Sequence, residues 1–173
     1  MDIPEFGLKR ENEERRDGGC AFVFDPQTQR YAVGKQENGM LRLFSGGVDP
    51  NEDIEAGVLR EVVEESGLHD FLYIEETAEA FCHYHNVLRN VNRVAKATNF
   101  LIILKSTSLV EVKLEEHEKF FLYWATAEEI LDSWKSRNQN KDYDHWIYFL
   151  KKTVKRVVEL GYDTTSVIEN LIQ

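Results

Sequence analysis

The stretch REVVEESG, Arg60 to Gly67, constrains this chain more than any other. Around it, residues 54–66 read as one helix, which Asn51 or Asp53 can cap and Gly67 can close. Glu52, Asp53 and Glu55 add negative charge near its positive end. At about 100° per residue, with Ile54 as zero, Val58, Val62, Leu59 and Val63 span roughly 40° to 180°, a wide apolar stripe. On the same wheel Glu61, Glu65 and Glu64 fall near about −20°, 20° and −80°, at the border of that stripe. A face that is acidic only for solubility would centre opposite the apolar one. Gly57, one turn earlier, costs roughly 1 kcal/mol against alanine in a helix interior. Its missing side chain is expected to leave space beside the carboxylates. Clustered carboxylates raise one another's pKa unless a positive charge joins them, and a hard divalent cation with oxygen ligands suits such a group.

This segment resembles the Nudix box. The family pattern is glycine, five residues, glutamate, seven residues, Arg-Glu, an apolar residue, any residue, Glu-Glu, any residue, glycine and an apolar residue. Gly46, Glu52, Arg60, Glu61, Val62, Glu64, Glu65, Gly67 and Leu68 meet every one of those positions within GGVDPNEDIEAGVLREVVEESGL. Phe44 and Ser45 stand where the family often has proline and glycine.

The resemblance implies an α+β fold, an α/β/α sandwich around a mixed sheet, and attack of water on a diphosphate linkage with Mg²⁺ or Mn²⁺. Carried over by position, Glu61, Glu64 and Glu65 are the implied metal ligands, and the Gly46 carbonyl is a further donor. Glu64 or Glu61 is the implied acceptor of the water's proton. Arg60 is expected to hold Glu61 or Glu52 by paired hydrogen bonds, with Glu52 in a supporting place. Many family members add a glutamate from a loop before a strand, and KLEEHEKFFLYW offers Glu116 or Glu118 for it.

The remaining chain is consistent with that frame. At 173 residues it is expected to be a single domain, with 1–19 an irregular or partly paired lead-in and 142–173 helical and packed on the domain. Residues 20–25 and 30–36 read as strands joined by a PQTQ hairpin loop, followed by strand material in 39–47, 71–86, 94–106 and 119–125. A helix follows in TAEEILDSWKS, and another in 142–161, where Trp146, Ile147, Leu150, Val154, Val157 and Val158 share one side. Ser166 and Glu169 are spaced for the capping box of a short terminal helix. Trp134, Trp146, Tyr148 and Phe149 are expected in core or dimer packing.

The net charge of −10 argues against a broad nucleic-acid or membrane surface. It leaves open a phosphorylated small molecule whose charge metal ions offset. Two cysteines, Cys20 and Cys82, are too few for a disulfide framework, and a cytoplasmic location is the expectation. Within this acidic chain FCHYHNVLRNVNRVAK is locally basic. Tyr84 or His83 could stack on a base, and Arg89 and Arg93 could neutralise phosphate. If 80–86 is a strand, His83 and His85 share one face and Cys82 and Tyr84 the other. No third ligand accompanies the two histidines, so a zinc site is rejected.

The substrate implied is a nucleoside diphosphate derivative. ADP-ribose-cleaving family members often carry a proline after the box, whereas Pro4, Pro26 and Pro50 all precede this helix. Dinucleoside polyphosphate hydrolases tend to carry a tyrosine in the region of Tyr84. A homodimer is compatible with the family. The alternative is a non-hydrolytic nucleotide- or RNA-binding module, since HNVLRNVNRVAKATNFLIIL resembles the Nudix-like domains attached to some class I aminoacyl-tRNA synthetases. Intact box glutamates favour an enzyme, because non-catalytic members commonly lose them.

Overall fold

The computed structural model describes residues 2–166 and 168–172. The chain runs β1 (Glu5–Gly7), β2 (Glu14–Arg15), β3 (Gly18–Asp25), β4 (Arg30–Gln36), β5 (Leu41–Arg42), β6 (Phe44–Gly47), α1 (Ile54–Ser66), β7 (Phe71–Asn86), β8 (Val91–Leu104), β9 (Phe120–Ala125), α2 (Ala127–Lys135), α3 (Asp144–Glu159) and α4 (Ile168–Ile172). The capping box expected at Ser166 and Glu169 includes Val167, outside the described residues. No helix among the described residues is long and apolar enough to cross a membrane.

The strands form one mixed sheet in the order β1-β7-β8-β3-β4-β5, with β2 against β8, β6 against β3 and β9 against β4. β3 runs parallel to β8, and β1 parallel to β7. The hairpins β3–β4 and β7–β8 are antiparallel. Strand β3 divides its length between two neighbours. Gly18 to Ala21 pair with β6, and Val23 to Asp25 pair with β4. The lead-in is thus more ordered than its composition suggests, because β1 and β2 each find a parallel partner on the long β7–β8 hairpin.

Alternation along the strands splits the core into two layers. Ala21, Val23, Phe100 and Ile102 face α1, whose Val58 and Val62 are fully buried against them. Burial of each valine is worth roughly 1.5–3 kcal/mol. Cys20, Phe22, Phe24, Leu101 and Ile103 face the other way, toward Trp134 of α2 and Phe149, Leu150 and Val154 of α3. The sandwich is therefore α/β/α. Asn99 of β8, wholly buried, ties α3 to the sheet: its Nδ2 donates to Thr77 Oγ1 at 2.7 Å and to Thr153 Oγ1 at 3.0 Å, and its Oδ1 accepts the Cys20 thiol at 3.3 Å. Burial pushes the Cys20 and Cys82 thiols far up, Cys82 to about 12, so both stay protonated and unreactive.

Candidate active site

Asp53, the N-cap of α1, accepts the Ala56 N–H at 3.0 Å, and Gly67 ends the helix in a left-handed conformation with φ of 80°. A side chain at Gly67 would also strike the Val110 carbonyl, because the segment after β8 returns over this helix end. There the Val110 and Lys113 N–H groups donate to the Gly67 and Glu64 carbonyls at 2.8 and 2.7 Å. That return brings the 115–118 turn toward the acidic edge of α1.

Arg60 is the hub of that edge. Its Nε and Nη2 donate to the two oxygens of Glu52 at 3.0 and 3.2 Å, and its Nη1 donates to Glu61 at 3.0 Å and Glu64 at 3.3 Å. The sequence offered Glu61 or Glu52 as its partner, and the guanidinium holds both. The space at Gly57 is not left open. It is filled by the Glu52 carboxylate, which a Cβ there would meet at 3.1 Å. A side chain at this helical position would press on the Glu52 carboxylate that folds back onto Arg60.

Glu65 points inward, its side chain 1% exposed. Ser45 donates its N–H to it at 3.2 Å, and Arg42 Nη2 lies 3.4 Å away. Burial pushes its carboxyl up to about 8, against the pull of Arg42, and the charges of Glu118 and Glu61 push the same way. Glu61 is raised too, first by burial. Two carboxyls held above their ordinary range beside further carboxylates form a hard-oxygen donor set that a divalent cation would relieve. Of the two downstream candidates, Glu118 repels both Glu61 and Glu65, and Glu116 is exposed. Glu118 also groups with Glu115 and His117, their ligand atoms within 4.8 Å of one another.

A cleft of about 460 Å³ adjoins this cluster. The two share Gly46. Its bare Cα lies against Glu61, whose carboxyl any side chain there would strike, and the residue also lines the cleft with Ser45 and Gly47. From the basic segment, Tyr84, Arg89 and Arg93 line the cleft, as does Cys82. His83 does not. It is buried on the opposite face of β7, with Nε2 2.7 Å from Glu5 and Nδ1 2.9 Å from Glu13, where it fastens the N-terminal segment. Trp146 packs against the core beside Trp134, as expected, and also lines the cleft, with Tyr143 and His145. Trp134 and Phe149 are core, and Tyr148 packs on Phe6 at 5.2 Å between ring centroids. Arg16, Tyr143 and His145 were not anticipated from the sequence. The only signal for Arg16 is the Arg15-Arg16 pair just before Gly18-Gly19.

A three-layer sandwich with a carboxylate-bearing helix set against a glycine-containing strand defines the Nudix class of fold. Residues 14–148 match the NUDIX domain family, and the chain belongs to it. Among solved structures, an Ap4A hydrolase binary complex from C. elegans is similar with a TM-score of 0.59 and 17% identity, over 83% of this chain and 98% of that one. A Listeria monocytogenes protein classed with the Nudix hydrolases has a TM-score of 0.58 and 21% identity, over 84% and 96%. A Nudix hydrolase from Nitrosomonas europaea has 0.51 and 18%, over 92% and 86%. At these identities the likeness is one of fold. Among curated proteins none matches.

Proposed function

We propose that this protein is a hydrolase that cleaves a diphosphate linkage in a nucleoside diphosphate derivative: a nucleoside triphosphate, a dinucleoside polyphosphate or a nucleotide sugar. The observation that carries this reading is Arg60 drawing Glu52, Glu61 and Glu64 together at the edge of a cleft that shares Gly46 with them. In this reading Glu61, Glu64 and Glu65, with the Gly46 carbonyl, hold Mg²⁺ or Mn²⁺. Such an ion, when bound, lowers the pKa of water and neutralises charge developing at phosphorus. Arg60 fixes the carboxylates and keeps Glu52 ionised, its pKa lowered by their hydrogen bonds. Glu64 or Glu61 receives the water's proton as the water oxygen bonds to phosphorus and the bridging P–O bond breaks. Glu118 supplies further negative charge. The substrate is a small molecule, and a cytoplasmic location accords with the sequence.

The test is Mg²⁺-dependent hydrolysis across nucleoside triphosphates, dinucleoside polyphosphates, nucleotide sugars and ADP-ribose, with products identified by mass and Glu64→Gln as the blank. Turnover of one class that vanishes in a folded Glu64→Gln supports the reading. A silent panel with tight nucleotide or RNA binding would instead identify a non-hydrolytic module.

A further inference from the structure

The cleft contains charge that the carboxylate edge does not use. In a chain with 31 acidic and 21 basic side chains, three arginines, Arg16, Arg89 and Arg93, line one cleft with two aspartates. Asp17 is engaged, whereas Asp142 Oδ1 is buried without a hydrogen bond among the described residues and has only a longer ion pair. Asp17 accepts two hydrogen bonds from Arg15 at 3.0 Å and one from the Lys96 N–H at 2.9 Å, and Asp142 lies 3.6 Å from Arg10. Arg93 is paired with Glu14 at 3.3 Å. Among the described residues Arg16 and Arg89 have no carboxylate at ion-pair distance, although carboxylates outnumber cations over the chain as a whole.

Arg16 is also seated. Its guanidinium lies on the bare face of Gly47: a Cβ there would come within 2.8 Å of its Nε and Nη2. Gly47 follows Gly46 along β6, so Arg16 lies on the opposite face of the strand from Glu61, and the two glycines, which both line the cleft, separate the guanidinium from the carboxylate edge. The other end of the cleft is aromatic. Trp146 is fixed by Trp134 at 5.2 Å and Tyr143 at 5.8 Å between ring centroids. His145, at 5.8 Å from Trp146, is half-buried and makes no hydrogen bond among the described residues. Burial holds its imidazole neutral, with one nitrogen free to donate and the other to accept.

Building on the hydrolase reading, we propose that Arg16, seated on Gly47, and Arg89 bind phosphates beyond the cleaved linkage while Tyr84, His145 and Trp146 receive the base, so that the preferred substrate is a nucleoside polyphosphate with three or more phosphates. Guanidinium groups pair with phosphate oxygens through charge-assisted hydrogen bonds. The carboxylate edge serves the linkage that is cut. Two unpaired guanidiniums beyond it suit further anionic groups, and an uncharged sugar has only hydroxyls to offer there. Aromatic rings and an unpartnered imidazole suit a nucleobase, which has both a stacking face and a hydrogen-bonding edge.

The experiment compares wild type with Arg16→Ala, Arg16→Lys, Gly47→Ala and the double variant Arg16→Ala/Gly47→Ala. Dissociation constants are measured with chelator present, by tryptophan fluorescence, for ATP, a dinucleoside tetraphosphate and ADP-ribose, and KM and kcat are measured with Mg²⁺. Arg16→Ala should weaken ATP or the tetraphosphate by about tenfold or more, as expected for a lost charged hydrogen bond. KM should rise by far more than kcat falls, and ADP-ribose should be much less affected. Arg16→Lys should restore part of the loss. Gly47→Ala, which displaces the guanidinium, should weaken polyphosphate binding in the wild type but not in the Arg16→Ala background. The longer-chain ligand of the two that loses more tells whether the extra phosphates belong to a triphosphate or a bridged polyphosphate. Unchanged polyphosphate affinity in Arg16→Ala would overturn the anchor, and an equal loss for ADP-ribose would overturn the choice of polyphosphate. Arg16-dependent binding in a protein that hydrolyses nothing would leave the anchor standing and remove the hydrolase reading.

Discussion

Arg60 grips Glu52 with two parallel hydrogen bonds, Nε to Oε1 at 3.0 Å and Nη2 to Oε2 at 3.2 Å, across eight residues of chain. The same guanidinium reaches Glu61 and Glu64 with Nη1. One cation therefore sets the geometry of three carboxylates, and the hydrogen bonds to Glu52 hold Arg60 protonated.

Arg60→Lys keeps the charge but cannot reproduce the fork. Turnover is expected to fall by about tenfold to a hundredfold, the range seen when groups that orient metal ligands are changed. The thermal midpoint should move little, since Arg60 is partly exposed. Steady-state kinetics beside a melting curve separates the two effects.

Glu118 and Glu116 are two residues apart and should behave differently. Glu118 raises the pKa of both Glu61 and Glu65, whereas Glu116 is an exposed residue of the turn. Glu118→Gln should lower kcat/KM several-fold or more at subsaturating Mg²⁺, while Glu116→Gln stays near wild type. Equal effects would mean that the turn does not approach the carboxylate edge as described.

Glu65 makes the metal-free protein pH-sensitive. Its folded pKa, about 8, lies above its ordinary value of 4.5, so the folded state holds this proton more tightly than the unfolded chain does. The associated stability is fully present below pH 4.5 and is lost as the pH rises toward 8 and beyond. Glu65→Gln, which cannot ionise, should be more stable than wild type at pH 8.5 in chelator and similar to it at pH 5. Denaturant titrations at the two pH values check this, and added Mg²⁺ should narrow the gap at the higher pH by stabilising the wild type.

His145 works in the opposite sense. Burial depresses its pKa from 6.5 to about 4, so between those values the unfolded chain binds the proton and the folded protein does not. Stability is full above pH 6.5 and declines as the pH falls to about 4. At 1.36 kcal/mol per unit the loss is at most roughly 3 kcal/mol. His145→Phe should flatten the stability profile over that interval, measured by urea midpoints from pH 4 to 7.

Much of α1 was legible in the sequence because its determinants are local. Helical spacing places Glu61, Glu64 and Glu65 at the border of the valine stripe, and Asp53 and Gly67 are the residue types that begin and end a helix. The parity of β7 was legible in part: His83 and Tyr84 take opposite faces, but His85, expected beside His83, lines the cleft with Tyr84. The family pattern adds the roles proposed for the acids, and both the family match and the similar solved structures agree with the fold it implied.

Which face of β7 meets α3 could not be read from the chain, and that decided the rest. Tyr84 entered the cleft, whereas His83 was locked between Glu5 on β1 and Glu13 just before β2, segments whose placement depends on the pairing of β1 with β7 and β2 with β8. Trp146 carries the spacing of a core residue, and only the placement of α3 on the sheet, fixed through Asn99 and Thr153, turns its ring toward a cleft. Arg16 and Gly47 are thirty-one positions apart and meet only because β3 pairs with β6 and β2 with β8. Short-range periodicity determined the carboxylate helix. Long-range strand register, which no local pattern encodes, assembled the cleft beside it.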